Sequence, residues 1–215
     1  MQPENVIAEF EAVFQSPAAL RNREPLLAAL QPRLPTDGTV LEVAAGALTH
    51  ALAFAGAHPT LTWLPSEVDA RILARVSEYV RCLEKTGQLP SNLLSPIELD
   101  VCQAPWPLEE LAAIYTANLL HISPAACSTG LFCGAGEHLA ADGKLLIYGP
   151  FKVAGCFTSD GDARFDLSLR ARNAAWGIRD LETLIAEART AGLALTERLP
   201  MPANNWLLTF ERERQ

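Results

Sequence analysis

The sequence lacks most of the features that mark whole classes of protein. No run approaches the ~18 apolar residues of a membrane-crossing helix, so no membrane partner is expected. No basic cluster stands out either: 17 Lys and Arg are scattered among 25 Asp and Glu, for a net charge of -8. Nothing forms the positive stripe that tracks a phosphate backbone, which disfavours nucleic acid. The five cysteines (Cys82, Cys102, Cys127, Cys133, Cys156) include no CxxC pair, and the four histidines (His50, His58, His121, His138) show no ligand spacing. No metal is expected from them. An odd cysteine count without a pairing pattern reads as reduced thiols, packed as small core residues. The opening MQPENVIAEFEAVF lacks the basic and apolar regions of a leader, which points to a reducing, cytoplasmic location.

What is present is enough apolar material, 49% of 215 residues, to bury the core of one α/β domain. Val6, Phe10, Val13 and Phe14 recur at helical spacing over 3–14. Ser16-Pro17 supplies a cap and first-turn proline for a second helix, which Pro25 is expected to interrupt. Strands are expected at 39–43, 61–64, 97–101, 111–119 and 144–148. Helices are expected between them, at 49–57, from the capping Asp69 to Lys85, and from Ser123-Pro124 to about Ala140, with Asp142-Gly143 as a turn. After a helix at 181–191, strands at 193–199 and 206–211 are joined too closely for a crossover and must be antiparallel.

This order predicts an α/β, Rossmann-like class I methyltransferase arrangement: a seven-stranded, mostly parallel sheet ending in an antiparallel hairpin. One domain is expected over 1–215, with a helical cover at 1–35, a cofactor-binding half at 36–150, and a lid, acceptor region and hairpin at 151–215.

In such a sheet the ligand lies beyond the carboxyl ends of the strands. The first strand leads from Leu41-Glu42-Val43 into Ala44-Ala45-Gly46-Ala47-Leu48-Thr49-His50, small residues that let backbone approach a ligand. Glu67, about 20 residues on, is an acid placed for ribose hydroxyls. Asp100, after the third strand, is placed for an adenine amino group. A nicotinamide enzyme would share the turn and the acid, but no GxGxxG fingerprint is present, and the terminal hairpin fits that fold poorly.

The chain resembles the methyltransferase-like 26 family (DUF938, UPF0585), predicted S-adenosylmethionine-dependent methyltransferases. The resemblance runs from Ser16 onward through Ser16-Pro17-Ala18, Arg21-Asn22, Glu24-Pro25, Val40–Ala44, Pro65-Ser66 with Asp69, and Leu99-Asp100-Val101. It continues through His121–Pro124, Tyr148–Phe151, Phe165-Asp166, Leu169-Arg170, Trp176-Gly177, Arg179-Asp180 and Met201–Asn205. It implies S-adenosylmethionine as cofactor, while the acidic net charge and a lid over the cleft lean toward a small polar molecule as acceptor. Two departures stand out: Leu48 replaces a glycine of the family's turn, and Glu67 stands where the family has Asp. Leu48 is tolerable there if its φ is negative, but its side chain is expected to crowd the methionine moiety. The alternative is a catalytically silent binding or scaffold protein whose turn has decayed.

In that frame Glu42, Gly46, Glu67, Asp100 and Asn118 are candidate cofactor contacts, with Arg21 and Asn22 for the methionine carboxylate. His121, after the fourth strand, is a candidate general base and Tyr148 a candidate for orienting the acceptor. The insertion 151–172 reads as a lid made mobile at its start by Gly155, Asp160 and Gly161. Within it Phe165, Asp166, Leu169 and Arg170 recur at helical spacing, which sets Asp166 and Arg170 as an i,i+4 pair on one face. Arg170 is suited to an acceptor carboxylate and Asp166 to an amine. Asn204 lines the acceptor side or makes the hairpin turn.

Overall fold

The computed structural model describes residues 2–213, which form two compact units, the first ending at Asp100 and the second starting at Val101. Their seven main strands give the expected mostly parallel sheet with an antiparallel C-terminal pair.

In the first unit, α1 (Pro3–Phe14) and α2 (Pro17–Leu30) precede β1 (Gly38–Val43), α3 (Thr49–Ala57), β2 (Leu61–Glu67), α4 (Ala70–Lys85) and β3 (Ile97–Glu98). α1 buries Ile7 and Phe10, and Phe10 stacks on Tyr79 at 4.2 Å. Val13, expected on the same face, is 67% exposed. Ser16 caps α2 as expected, but Pro25 does not break it. A proline costs a helix one amide bond, and buried Leu26, Ala29 and Leu30 hold the turns beyond it by packing.

The three strands are parallel in the order β3-β2-β1, with Gly38 opposite Leu61 and Glu42 opposite Pro65. β2 runs three residues past its expected end. Pro65 reads as a stop because it has no donor, yet Ser66 and Glu67 pair with Ile97 and Glu98, and the Ser66 hydroxyl donates to the Glu42 carbonyl at 3.1 Å. β3 is only two residues long, so Asp100 lies beyond it. Asp69 caps α4 through the Arg71 amide at 2.8 Å. Fully buried Val40, Leu41, Leu48, Phe54 and Trp63 form the core, each worth roughly 1.5–3 kcal/mol.

The second unit runs β4 (Leu111–Ala117), a 3-10 turn (Leu120–Ile122), α5 (Ala126–His138), β5 (Leu139–Gly149), β6 (Phe151–Lys152), α6 (Asp160–Arg172), β7 (Arg179–Asp180), α7 (Leu181–Thr190), β8 (Leu193–Met201) and β9 (Asn205–Arg212). Its sheet order is β4-β5-β9-β8. Leu111 pairs with Leu139 but Ala113 with Lys144, so the expected Asp142-Gly143 turn is an irregularity inside β5.

β6 and β7 form a separate parallel pair that no periodicity signals in strands this short. The start of the insertion is tied down, contrary to expectation. Ala154 and Gly155 make a tight turn at φ 50° and 74°. Their amides donate to Glu182 at 2.8 Å and Asp180 at 2.6 Å. Asp160 and Gly161 open α6 under a Ser159 cap.

The cysteines are not core residues, Cys82 excepted: Cys102, Cys133 and Cys156 are exposed, and Cys102 and Cys127 bring their Sγ atoms to 3.4 Å. Among the described residues no helix is long and apolar enough to cross a membrane.

Candidate functional site

In the first unit the candidate residues gather at the carboxyl ends of β1 and β2. The turn between β1 and α3 is unusual backbone, with Ala44, Gly46 and Leu48 at φ 58°, 53° and 59°. Two of the three carry a β-carbon, which costs each roughly 1–2 kcal/mol in this region. Such strain persists only where surrounding structure enforces it. Here the enforcement is visible. The Ala45 amide donates to the Ser66 carbonyl at 2.9 Å, and the Gly46 amide donates to the Glu67 carboxylate at 3.3 Å.

Leu48 thus has the positive φ that its family's glycine would adopt most easily, not a negative one. Its side chain is fully buried in the core. It is also the residue before α3, and it supplies no side-chain cap, so the amides of the first turn lack that acceptor. Thr49, opening the helix, has a buried hydroxyl with no hydrogen-bond partner among the described residues. A β-carbon built on Gly46 would meet nothing within 4 Å, so the space over the turn is open.

Glu67, 9% exposed, receives the amides of Val68 at 2.9 Å and Asp69 at 3.2 Å besides that of Gly46. One carboxylate therefore fixes both the β1–α3 and the β2–α4 turns. Asp100 is half-buried two residues after β3. Glu42 sits inside the strand layer, receiving the Trp63 indole N–H at 2.7 Å. Burial pushes its carboxyl up to about 8, more than the indole bond lowers it, so it is neutral at pH 7.

Arg21 is exposed on α2, while Asn22 holds His50 Nε2 at 2.8 Å. His50, stacked on Phe54 at 5.1 Å, is pushed down to about 4 by burial and is uncharged. The Asn22 side chain thus braces the turn's helix, a role that sequence reasoning missed because 28 residues separate the pair.

In the second unit the candidates gather at the end of β4 and β5. Asn118, at φ 65°, donates its amide to the Tyr148 carbonyl at 2.8 Å and turns the chain off β4. His121 follows, 5% exposed. Its ring meets the edge of Phe165 at 5.4 Å, and its carbonyl accepts the Gly177 amide at 3.0 Å. Burial, then the Arg179 guanidinium, pushes His121 down to about 4, so the imidazole is neutral at pH 7 and a weaker base than an exposed histidine.

Arg179 was not foreseen; it donates to the carbonyls of Ser123 and Ala175 and braces the segment after His121. Asp166 and Arg170 pair as their spacing predicts, at 2.7 Å, but not as a surface ion pair. Asp166 is 5% exposed, and its second oxygen accepts the Ile178 amide at 2.7 Å. Both its oxygens are committed within the protein, which corrects the expectation that it grips an acceptor amine. Asn204, at φ 57° and exposed, makes the β8–β9 turn, at the end of the sheet where Gly149 pairs with Trp206.

The family model for proteins of unknown function DUF938 matches residues 14–212. The chain belongs to the DUF938 family. Among solved structures it is similar to an O-methyltransferase family protein from Burkholderia thailandensis, at 20% identity and TM-score 0.73, covering 91% of this chain and 57% of that one. It is similar to an O-methyltransferase family 2 protein from Planctomyces limnophilus in complex with apigenin, at 21% identity and TM-score 0.67, covering 91% and 65%. It is also similar to PigF with SAH, at 15% identity and TM-score 0.71, covering 98% and 66%. The DUF938 chain spans between 57% and 66% of the length of these three. Their likeness establishes the Rossmann-like methyltransferase fold.

Proposed function

We propose that this DUF938 chain transfers the methyl group of S-adenosylmethionine to a small-molecule acceptor. The observation that carries the reading is the 44–48 turn. It is strained, locked by Glu67, open above Gly46, and followed by an uncapped helix with an unpartnered buried Thr49 hydroxyl. Those groups fit an adenosyl amino acid: α3 amides and Thr49 for its carboxylate, Glu67 and Asp100 for ribose and adenine. Arg21 adds a cation on α2, and Asn22 holds His50 beneath the turn. Glu42 supports the turn from inside the sheet. SAH in PigF and apigenin in the Planctomyces protein support the same cofactor and a small acceptor here.

S-adenosylmethionine supplies an electrophilic methyl group. The chain's own task is to hold the acceptor, exclude water and take a proton where one must leave. His121 takes the proton as a neutral, buried imidazole, and Asn118 and Tyr148 fix the strand ends beside it. The silent-scaffold alternative rests on Leu48 crowding the cofactor. Burial of that side chain in the core favours the catalytic reading.

Thermal unfolding with S-adenosylmethionine, SAH and NAD tests the assignment. At 100 times Kd, ligand binding adds about 2.7 kcal/mol, which for a chain of this size raises Tm by roughly 5–10 °C. A rise with the adenosyl sulfur ligands and none with NAD is expected. A rise with NAD alone, or with none of the three at millimolar concentration, removes the reading.

A further inference from the structure

Around His121 the second unit presents three features that a merely structural histidine does not require. Phe165, in edge contact with the imidazole, is still 39% exposed, and Ile122, the next residue in the chain, is 43% exposed. Arg170 is held by Nε to one Asp166 oxygen at 2.7 Å and by Nη2 to the other at 3.5 Å, yet its side chain remains 45% exposed. Its Nη1 has no hydrogen-bond partner among the described residues. Gly177 makes room for this guanidinium. A β-carbon there, at φ 148°, would lie 2.5 Å from Arg170 Nη2 and 2.8 Å from Asp166 Oδ1, while the Gly177 amide bonds the His121 carbonyl. Gly177 thus links the His121 backbone to the Arg170–Asp166 pair, while Phe165 contacts the His121 ring itself.

Cations gather here as well. Burial raises the proton affinity of Asp166, but its bonds to Arg170 and the Ile178 amide and the charges of Arg170 and Lys152 lower it on balance, and Arg179 lies in the field of Arg170 as well as of Glu187 and Asp166. An anionic acceptor is favoured there, and a guanidinium with a spare edge suits a carboxylate better than a point charge does.

We infer, resting on the methyl-transfer reading, that the acceptor is a hydroxyarene carboxylic acid, its ring packed on Phe165 and Ile122 and its carboxylate held by Arg170. The hydroxyl oxygen bonds the methyl carbon, the C–S bond breaks with its electron pair left on sulfur, and the hydroxyl proton passes to His121. A base as weak as His121 suits an acidic hydroxyl: a phenol, ordinarily near pKa ~10 and lowered further by neighbouring cations, matches it better than an aliphatic alcohol. Asp166 positions Arg170 and touches no substrate.

The test is a calorimetric titration of the full chain, with and without SAH, against 2-, 3- and 4-hydroxybenzoate and the matching uncharged hydroxybenzamides. At least one hydroxybenzoate is expected to bind ten-fold or more tightly than its amide. Arg170→Gln should remove that preference, Arg170→Lys should restore part of it, and neither should change the SAH affinity. Equal binding of acid and amide, or an acid preference that survives Arg170→Gln, overturns the inference. So does SAH binding with no hydroxybenzoate bound, which leaves the methyl-transfer reading standing. Arg170-dependent acid binding without SAH binding would instead retain the acid site and remove methyl transfer.

Discussion

The carboxylate of Glu67, the last residue of β2, accepts the amide of Gly46 at 3.3 Å, and so fastens the β1–α3 turn to the start of the β2–α4 turn. Three backbone donors converge on this side chain. Glu67→Gln must turn an amide NH2 toward at least one of them. A cost of about 1–3 kcal/mol is expected. Urea unfolding checks it, and SAH affinity measured on the same variant should fall at least ten-fold. Unchanged stability and affinity would show that the turn does not depend on this bond.

Buried titratable groups set the expected pH profile of stability. Glu42 is raised to about 8, so from about pH 4.5 to 8 the folded chain holds a proton that the unfolded chain has lost, and stability falls as pH rises. His50 and His121, lowered to about 4, act in the opposite sense: between about pH 4 and 6.5 the unfolded chain binds protons the folded one refuses, and stability falls as pH drops. The opposing slopes place the maximum near pH 6.5. Glu42→Gln keeps an acceptor for the Trp63 indole and removes the alkaline decline. Its stability relative to the parent should grow by roughly 1.4 kcal/mol per pH unit through that window. Denaturant titrations from pH 5 to 8 measure this; a constant difference would place the Glu42 carboxyl in a charged state.

Leu48→Gly relieves a left-handed leucine but empties a fully buried site. Relief of roughly 1–2 kcal/mol is outweighed by a cavity cost of about 3–5 kcal/mol, so a net loss of about 2 kcal/mol is expected. SAH affinity should stay within about three-fold of the parent. A large gain in affinity would instead mean that the leucine obstructs the turn.

Gly177→Ala places a β-carbon against Arg170 and Asp166 in a backbone region that L side chains avoid. A loss of about 2–3 kcal/mol is expected from displacement of Arg170 and of the buried Asp166 carboxylate. The imidazole resonances of His121 should shift in NMR spectra, because the Gly177 amide bonds its carbonyl. Spectra and stability matching the parent would show that the glycine has no such role.

Much of this was legible in the sequence. Apolar periodicity located the long helices and the buried strands, and the short link expected at 200–205, which the structure narrows to 202–204, dictated an antiparallel hairpin. What escaped reading depends on partners distant in sequence. Pro65 ends a strand by local rules, yet pairing through Ser66 and Glu67 carries β2 onward. Asp166 and Arg170 look like a surface pair until the Ile178 amide, 12 residues away, draws the carboxylate inside. The two-residue β6 and β7 have no pattern long enough to register, and Arg179, which lies in β7, reaches Ser123, 56 residues away. The cysteines misled because burial is a tendency of the residue type, not of these positions.

The central claim, an adenosyl site in the first unit, is tested most directly by calorimetric titration of the full chain with SAH beside its Asp100→Ala variant. One site per chain with micromolar Kd, weakened ten-fold or more by Asp100→Ala, is the expected result. No heat up to millimolar SAH, or an affinity indifferent to Asp100, would contradict it.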